Sequence, residues 1–339
     1  MFDDLTRQQA ITYSVVGGVV TLISLAVWWH LSWRMKTQQR VLDLKPRWLV
    51  SWGLLDVIGA VLLSFFCAPA AVAILEATTD FDRQAKIGEL SVSSLTGFFF
   101  AMSIGSAVAI ILSLIVIRIR VGAKAGDFGI GWKWEDIRKD LVVGVLGFFA
   151  LVVPVLAIQV GATQLLGQET QHPIIKALKS NTDGEWLWMA TICSAVLVAP
   201  IVEELLVRVI LQGWFENIAS GKMNEIEVLS GLHSRFRTEP VPAMPGIEQE
   251  LKDLSNEKAK PATHHWYEPT AAKAWPIVLS AALFSLMHVG NGPDPIPLFV
   301  LALGLGYVYH CTHRVLPCII IHFLMNLLSL FWLWVALRP

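Results

Sequence analysis

Glu203 and Glu204 stand side by side in an apolar stretch that begins near Trp186, and Arg208 follows one helical turn later. Ionisable side chains at membrane depth are costly, so they mark functional sites by default. Two further apolar stretches each carry a histidine, Phe284-Ser-Leu-Met-His288 and His322-Phe-Leu-Met-Asn326. On a helix, positions four apart share a face and adjacent positions diverge by about 100°. Glu204 and Arg208 therefore face each other, and charge-assisted hydrogen bonds let such a pair survive in low dielectric. Glu203 points elsewhere without a local partner, and the two histidines are the best partners in the remaining sequence. His322 and Asn326 share one face of their helix, and Phe284 lies beneath His288. An Asn amide beside a histidine can donate to a developing oxyanion, as acyl transfer requires.

The elements that must position these residues are membrane helices. Of 339 residues, 55% are hydrophobic and 16% charged, with a mean hydropathy of +0.58, which predicts an all-α polytopic transmembrane bundle. A net charge of -1 leaves no basic stripe for phosphates, which excludes nucleic acid and leaves membrane lipid as the implied partner. Cys67, Cys193, Cys311 and Cys318 lie in or beside apolar segments, a placement that suits packing and not a disulfide framework or a CxxC metal site.

A span takes about 20 apolar residues, and four stretches satisfy that plainly: Ile11 to Trp33, Trp48 to Ile74, Ser94 to Ile117, and Leu141 to Leu166. A fifth runs from Trp186 toward Trp214. Trp275 to His288 and Pro297 to Tyr309 are short, which predicts re-entrant segments or spans shielded by neighbours. Val315 to Leu337 completes eight segments. The amino terminus opens with Asp3 and Asp4 and lacks a small-residue cleavage site, so its helix reads as retained. The organisation expected is a four-helix amino-terminal region over 1–180 and a core over 186–339, the latter interrupted by a polar insertion over 215–273.

That insertion includes Glu248-Gln-Glu-Leu-Lys-Asp253 and is too polar to span a membrane. Pro240, Pro242, Pro245 and Gly246 split it into two expected short helices, Met223 to Phe236 and Ile247 to Leu254. His264 and His265 read as a solvated surface pair. Lys and Arg cluster between Arg34 and Arg47 and between Arg118 and Lys139, but are sparse from Leu75 to Ser93 and from Gly167 to Glu185. By the positive-inside rule the first two loops are cytoplasmic and both termini face outward. Measured from the cytoplasmic ends of their segments, Glu203 then lies about 17 Å deep, His288 about 20 Å and His322 about 10 Å, so the three can converge between the cytoplasmic face and the middle of the bilayer. His30, Gln159 and Ser194 read as structural or interfacial, His310 and His313 with Arg314 as headgroup contacts, and Asp56 has no partner visible in sequence.

Glu203-Glu-Leu-Leu-Val-Arg208, Phe284-x-x-x-His288 and His322-x-x-x-Asn326 resemble, in order, the three motifs of the CAAX protease and bacteriocin-processing (CPBP) intramembrane proteases, which include type II CAAX prenyl endopeptidases and lysostaphin-resistance-protein-A-like proteins. The resemblance covers about Trp186 to Leu330, and Pro200-Ile-Val-Glu203 fits the usual lead-in. Val209 stands where glycine is common, and the polar insertion is longer than the family leads one to expect. The resemblance implies that Glu203 is a general base activating water that His288 holds and polarises, and that His322 and Asn326 stabilise the oxyanion. Glu204 and Arg208 would fix the helix and the local field, with Phe284 in support. A metal version would use Glu203, His288 and His322 as Zn2+ ligands and leave a fourth position for water; metal-independent glutamate chemistry is the reading preferred.

The expected function is an endopeptidase acting on a membrane-anchored, CAAX-type prenylated peptide or protein. It would sit in a bacterial inner membrane with its active site toward the cytoplasmic half. A non-catalytic membrane scaffold or regulator is the competing reading. A transporter with a Glu/His proton relay is disfavoured by the lack of an inverted repeat.

Overall fold

The computed structural model describes residues 6–45, 49–85, 89–181, 184–231 and 274–338, which form helices and turns with no strand. In chain order the helices are α1 Arg7–Lys36, α2 Leu54–Thr78, α3 Val92–Val121, α4 Trp134–Leu166, α5 Pro173–Ser180, α6 Glu185–Ser220, α7 Glu225–Ser230, α8 Trp275–Leu286, α9 Pro295–Thr312 and α10 Val315–Leu337. Seven of them, α1 to α4, α6, α9 and α10, are long and apolar enough to cross a membrane. The chain is an integral, multi-pass membrane protein. Of the two segments expected to be short, Trp275 to His288 is so, since α8 has 12 residues, about 18 Å of helix, whereas Pro297 to Tyr309 belongs to α9, which at 18 residues is long enough. Its carboxyl end is set by a run of turns through His288, Gly290 and Gly292, both glycines at positive φ.

Local chemistry accounts for the ends. Thr6 and Gln9 form a capping box at the start of α1, Ser91 caps α3, and Gly122 closes α3 in the left-handed conformation. Pro69 and Pro154 lie inside α2 and α4, as membrane helices tolerate. α6 is the central element. Val207, Val209 and Ile210 are fully buried against Phe284 of α8, Leu301 and Leu305 of α9 and Ile321 of α10. α1 sits at the rim with Ser24 as its buried residue, because an apolar side chain facing lipid needs no protein cover. Where α2 crosses α3, a Cβ on Gly105 would lie 2.6 Å from the backbone of Ala68, so the two helices meet as small-residue interfaces do in membranes.

α6 departs from regular geometry in two wide, π-helical turns, Ile192–Val198 and Leu205–Gln212. In the first, the Ala199 amide bonds Ser194 O. The next amide in that register belongs to position 200, and Pro200 has none to offer Ala195 O. At the end of the second wide turn, Ile210 O accepts both from the Gly213 amide and from the indole of Trp52, the latter at 3.0 Å.

Several expectations are corrected. α6 runs past Trp214 to Ser220, and Phe215, Glu216 and Asn217 are buried in it, not part of a solvated insertion. The helix expected over Met223 to Phe236 ends at Ser230, where Gly231 turns left-handed. Residues 232–273, with the second expected helix, His264 and His265, lie outside the described residues. Asp56 does have a partner: Arg120 of α3 binds it through Nε at 2.7 Å and through a second guanidinium nitrogen, while the Gly53 amide donates to it at 2.9 Å. His310 and His313 are buried rather than facing headgroups, and Arg314 pairs with Asp140, its Nε donating at 2.6 Å. The four cysteines are free and half-buried or buried.

Candidate active site

The two glutamates enter the site on one turn of α6 with different surroundings. Glu204 has no exposed side-chain surface, whereas the Glu203 side chain is 24% exposed. Arg208 Nε donates to Glu204 Oε2 at 3.2 Å, as the four-residue spacing predicts. The structure adds a second partner for Glu204: His322 Nδ1, on α10, donates to Glu204 Oε1 at 2.9 Å. The opposite ring nitrogen of His322, Nε2, lies 3.7 Å from Glu203 Oε2. His322 is therefore clasped between both carboxylates, and Glu204 holds the site's histidine as well as its arginine. With Nδ1–H directed to Glu204, Nε2 is the ring nitrogen turned toward Glu203, and in the imidazolium form it too is a donor.

Phe284 is the packing centre of the site. Fully buried on α8, its ring meets His322 edge-on at a centroid distance of 5.9 Å, lies 5.0 Å from the His288 ring, and has the Arg208 guanidinium at 5.7 Å over it. His288 is not on the helix as expected, but in the turn that follows it. Its Nδ1 donates to Phe284 O at 3.0 Å, because a carbonyl oxygen only accepts; the neutral ring then keeps its lone pair on Nε2. The turn is braced from outside the motif region, with the Gln171 amide donating to Asn291 O at 3.1 Å. Asp294, at the end of the same turn, accepts from Thr170 Oγ at 2.6 Å and from Gln159 Nε2 at 3.2 Å.

Asn326 lies one turn beyond His322 on α10, and its Nδ2 donates to Ala195 O at 2.8 Å. That carbonyl is the one Pro200 leaves without a helical donor, so the third motif repairs the break that the lead-in to the first motif creates. One N–H of the Asn326 amide is committed to this bond and the second remains.

Below the pair of glutamates runs a polar stripe that the sequence reading missed. Arg208 Nη1 reaches Gln212 Oε1 at 3.4 Å and Ser280 Oγ at 3.3 Å. Gln212 Nε2 donates to Glu216 Oε1 at 3.1 Å and to Gly306 O at 2.9 Å. His310 Nδ1 donates to Glu216 Oε1 at 3.0 Å. Glu204, Arg208, Gln212 and Glu216 are each four residues apart, which is the sequence signal that could have found them. In an α-helix, four-residue steps overshoot by about 40° each and three of them swing about 120°. The wide turn over Leu205–Gln212 advances less per residue, so the stripe stays on one line. α9 lets it pass because a Cβ on Gly306 would sit 3.1 Å from Gln212 Oε1 and 2.9 Å from Ile277.

With this geometry in view, the comparison with known families is direct: residues 256–328 match the model of the type II CAAX prenyl endopeptidases, Rce1-like. Over that stretch the chain is similar to the Rce1-like family. The Rce1-like stretch contains Phe284, His288, His322 and Asn326, while Glu203, Glu204 and Arg208 precede it and reach those residues through folding. At the level of the family, the match supports an intramembrane protease of CAAX type. No curated protein and no solved structure matches the chain.

The ligand set for a zinc version of an Rce1-like site can be tested on the donors themselves. Among the described residues no three His, Cys, Asp or Glu side chains gather closely enough to hold a metal ion. Glu203 and His322 approach each other, and His288, whose Nδ1 donates to Phe284 O, has Nε2 as the ring atom that would ligate.

Proposed function

We propose that the protein is an intramembrane endopeptidase that hydrolyses a peptide bond near the prenylated, CAAX-type carboxyl terminus of a membrane-anchored substrate, with its site toward the cytoplasmic half. The observation that carries this reading is the clasp of His322 between Glu203 and Glu204, packed on the same phenylalanine as His288. Glu203 is the carboxylate with exposed surface and, among the described residues, without a short hydrogen bond, which suits a general base that must reach water. It takes a proton from water as the oxygen bonds to the scissile carbonyl carbon, and it returns that proton to the amine as the C–N bond breaks. The His288 Nε2 lone pair accepts from the same water and fixes its direction. His322 and the uncommitted amide proton of Asn326 face the developing oxyanion. Glu204, held by Arg208, keeps the His322 ring and its tautomer in place, as a carboxylate does for a catalytic imidazole.

The test is cleavage of a farnesylated, internally quenched peptide ending in a CAAX sequence by the full chain reconstituted in liposomes. Glu203→Gln should lower turnover by about 100-fold or more with thermal stability unchanged, since its carboxylate makes no short bond. An unprenylated peptide of the same sequence should be a poor substrate. Wild-type cleavage by a folded Glu203→Gln protein would end the protease reading and leave the polar cluster as a helix-packing device of a scaffold.

A further inference from the structure

On the face of α9 away from the polar stripe, a cavity of about 550 Å³ lies between α1, α4 and α9. Its wall is apolar, built from residues such as Ile23 and Val27 of α1, Leu146 and Leu151 of α4 and Val308 of α9, and among the described residues no acidic side chain lines it. Among the same residues its one charged lining side chain is Arg34, near the carboxyl end of α1. The Arg34 Nε is buried and has no hydrogen-bond partner among the described residues. A buried guanidinium N–H without an acceptor is costly, and at this position no protein carboxylate lines the space to supply one. Lys36, Arg40 and Lys45 follow Arg34 in the chain with Asp43 as the one acid among them, so this end of the cavity carries a net positive charge.

The dimensions identify the occupant. From Ile23 to Arg34 the wall runs about 16 Å along α1, close to half the roughly 30 Å hydrocarbon thickness of a bilayer. The space is thus one leaflet deep, with its cation where that leaflet's headgroups begin. We propose that this cavity binds one anionic membrane phospholipid, an acyl chain filling the space between the three helices and the phosphate accepting from Arg34. The inference rests on cavity and charge and is independent of the protease reading. A bidentate guanidinium–phosphate contact is the geometry arginine favours over lysine.

The experiment is native mass spectrometry of the full chain released from nanodiscs that contain equal phosphatidylglycerol and phosphatidylcholine of identical acyl chains. The wild type should retain one phosphatidylglycerol in preference to phosphatidylcholine. Arg34→Gln should lose that preference by about tenfold or more, Arg34→Lys should restore part of it, and Ala26→Trp, which fills the cavity wall, should lose retention of either lipid. Circular dichroism melts of each variant separate loss of lipid from loss of fold. Equal retention of the two lipids by wild type, or retention unchanged in folded Arg34→Gln and Ala26→Trp, would overturn the proposal. So would displacement of the bound lipid by geranylgeraniol at equimolar amounts, which would assign the cavity to an isoprenoid chain.

Discussion

Replacing Arg208 with Met tests whether the buried ion pair organises the site. Arg208 and Glu204 have no exposed side-chain surface, and Arg208 serves three acceptors at 3.2, 3.4 and 3.3 Å. Removing the guanidinium leaves Glu204 with His322 alone, as an uncompensated charge in the interior. Breaking one side of a buried pair costs about 3–5 kcal/mol. Glu204→Gln leaves the opposite charge stranded and should cost a similar amount. In Glu204→Gln/Arg208→Met neither charge remains, and the loss should fall short of the sum of the single losses by about 3 kcal/mol. Equilibrium unfolding in mixed micelles of dodecyl maltoside and sodium dodecyl sulfate gives all four free energies. If the two single losses simply add, the pair is not coupled in the folded protein and the account of Arg208 as the anchor of Glu204 is wrong.

Asn326→Leu removes the donor to Ala195 O and should destabilise the protein by about 1–3 kcal/mol; a neutral effect in the same unfolding assay would show that α6 closes the Pro200 gap by another route. Burial holds the His172 imidazole below its ordinary value, opposed by the Asp294 carboxylate and reinforced by His288. His172 is therefore neutral in the fold, and its contribution is full above the unfolded value of about 6.5 and is lost as the pH falls through and below it. His172→Asn keeps an acceptor for the Ile174 amide and should flatten the fall in melting temperature between pH 7 and 5; an unchanged slope counts against it. Cleavage of the prenylated peptide should persist after exhaustive chelation, and a stoichiometric zinc whose removal abolishes turnover would sink the metal-independent mechanism.

What could be read from sequence and what could not divide along a physical line. Apolar length is written in composition, so six of the seven long spans are recognisable, and four-residue spacing is local geometry, so the Glu204–Arg208 pair is too. Partners brought together by folding carry no local mark. Glu204 meets His322 across 118 positions, Asp56 meets Arg120 across 64, and Glu216 meets His310 across 94. His310 next to Arg314 looks like a wet turn, and only the fold shows that Glu216 of α6 has covered it. The motif spacing places His288 on a helix, yet α8 stops two residues earlier where the glycine-rich turn takes over. The wide turns of α6 are equally hidden, since neither hydropathy nor motif reports the register of a backbone.

That register makes α6 sensitive to a kind of change that hydropathy cannot see. A change that turned Leu205–Gln212 into regular helix without loss of a residue would leave a segment of nearly the same length and apolarity, still able to cross the bilayer. Everything beyond it would swing by about 120° relative to Glu204, carrying Glu216 away from His310 while Glu204 stayed where it is. Topology would survive such an event intact, and the phase between the two halves of the helix would not.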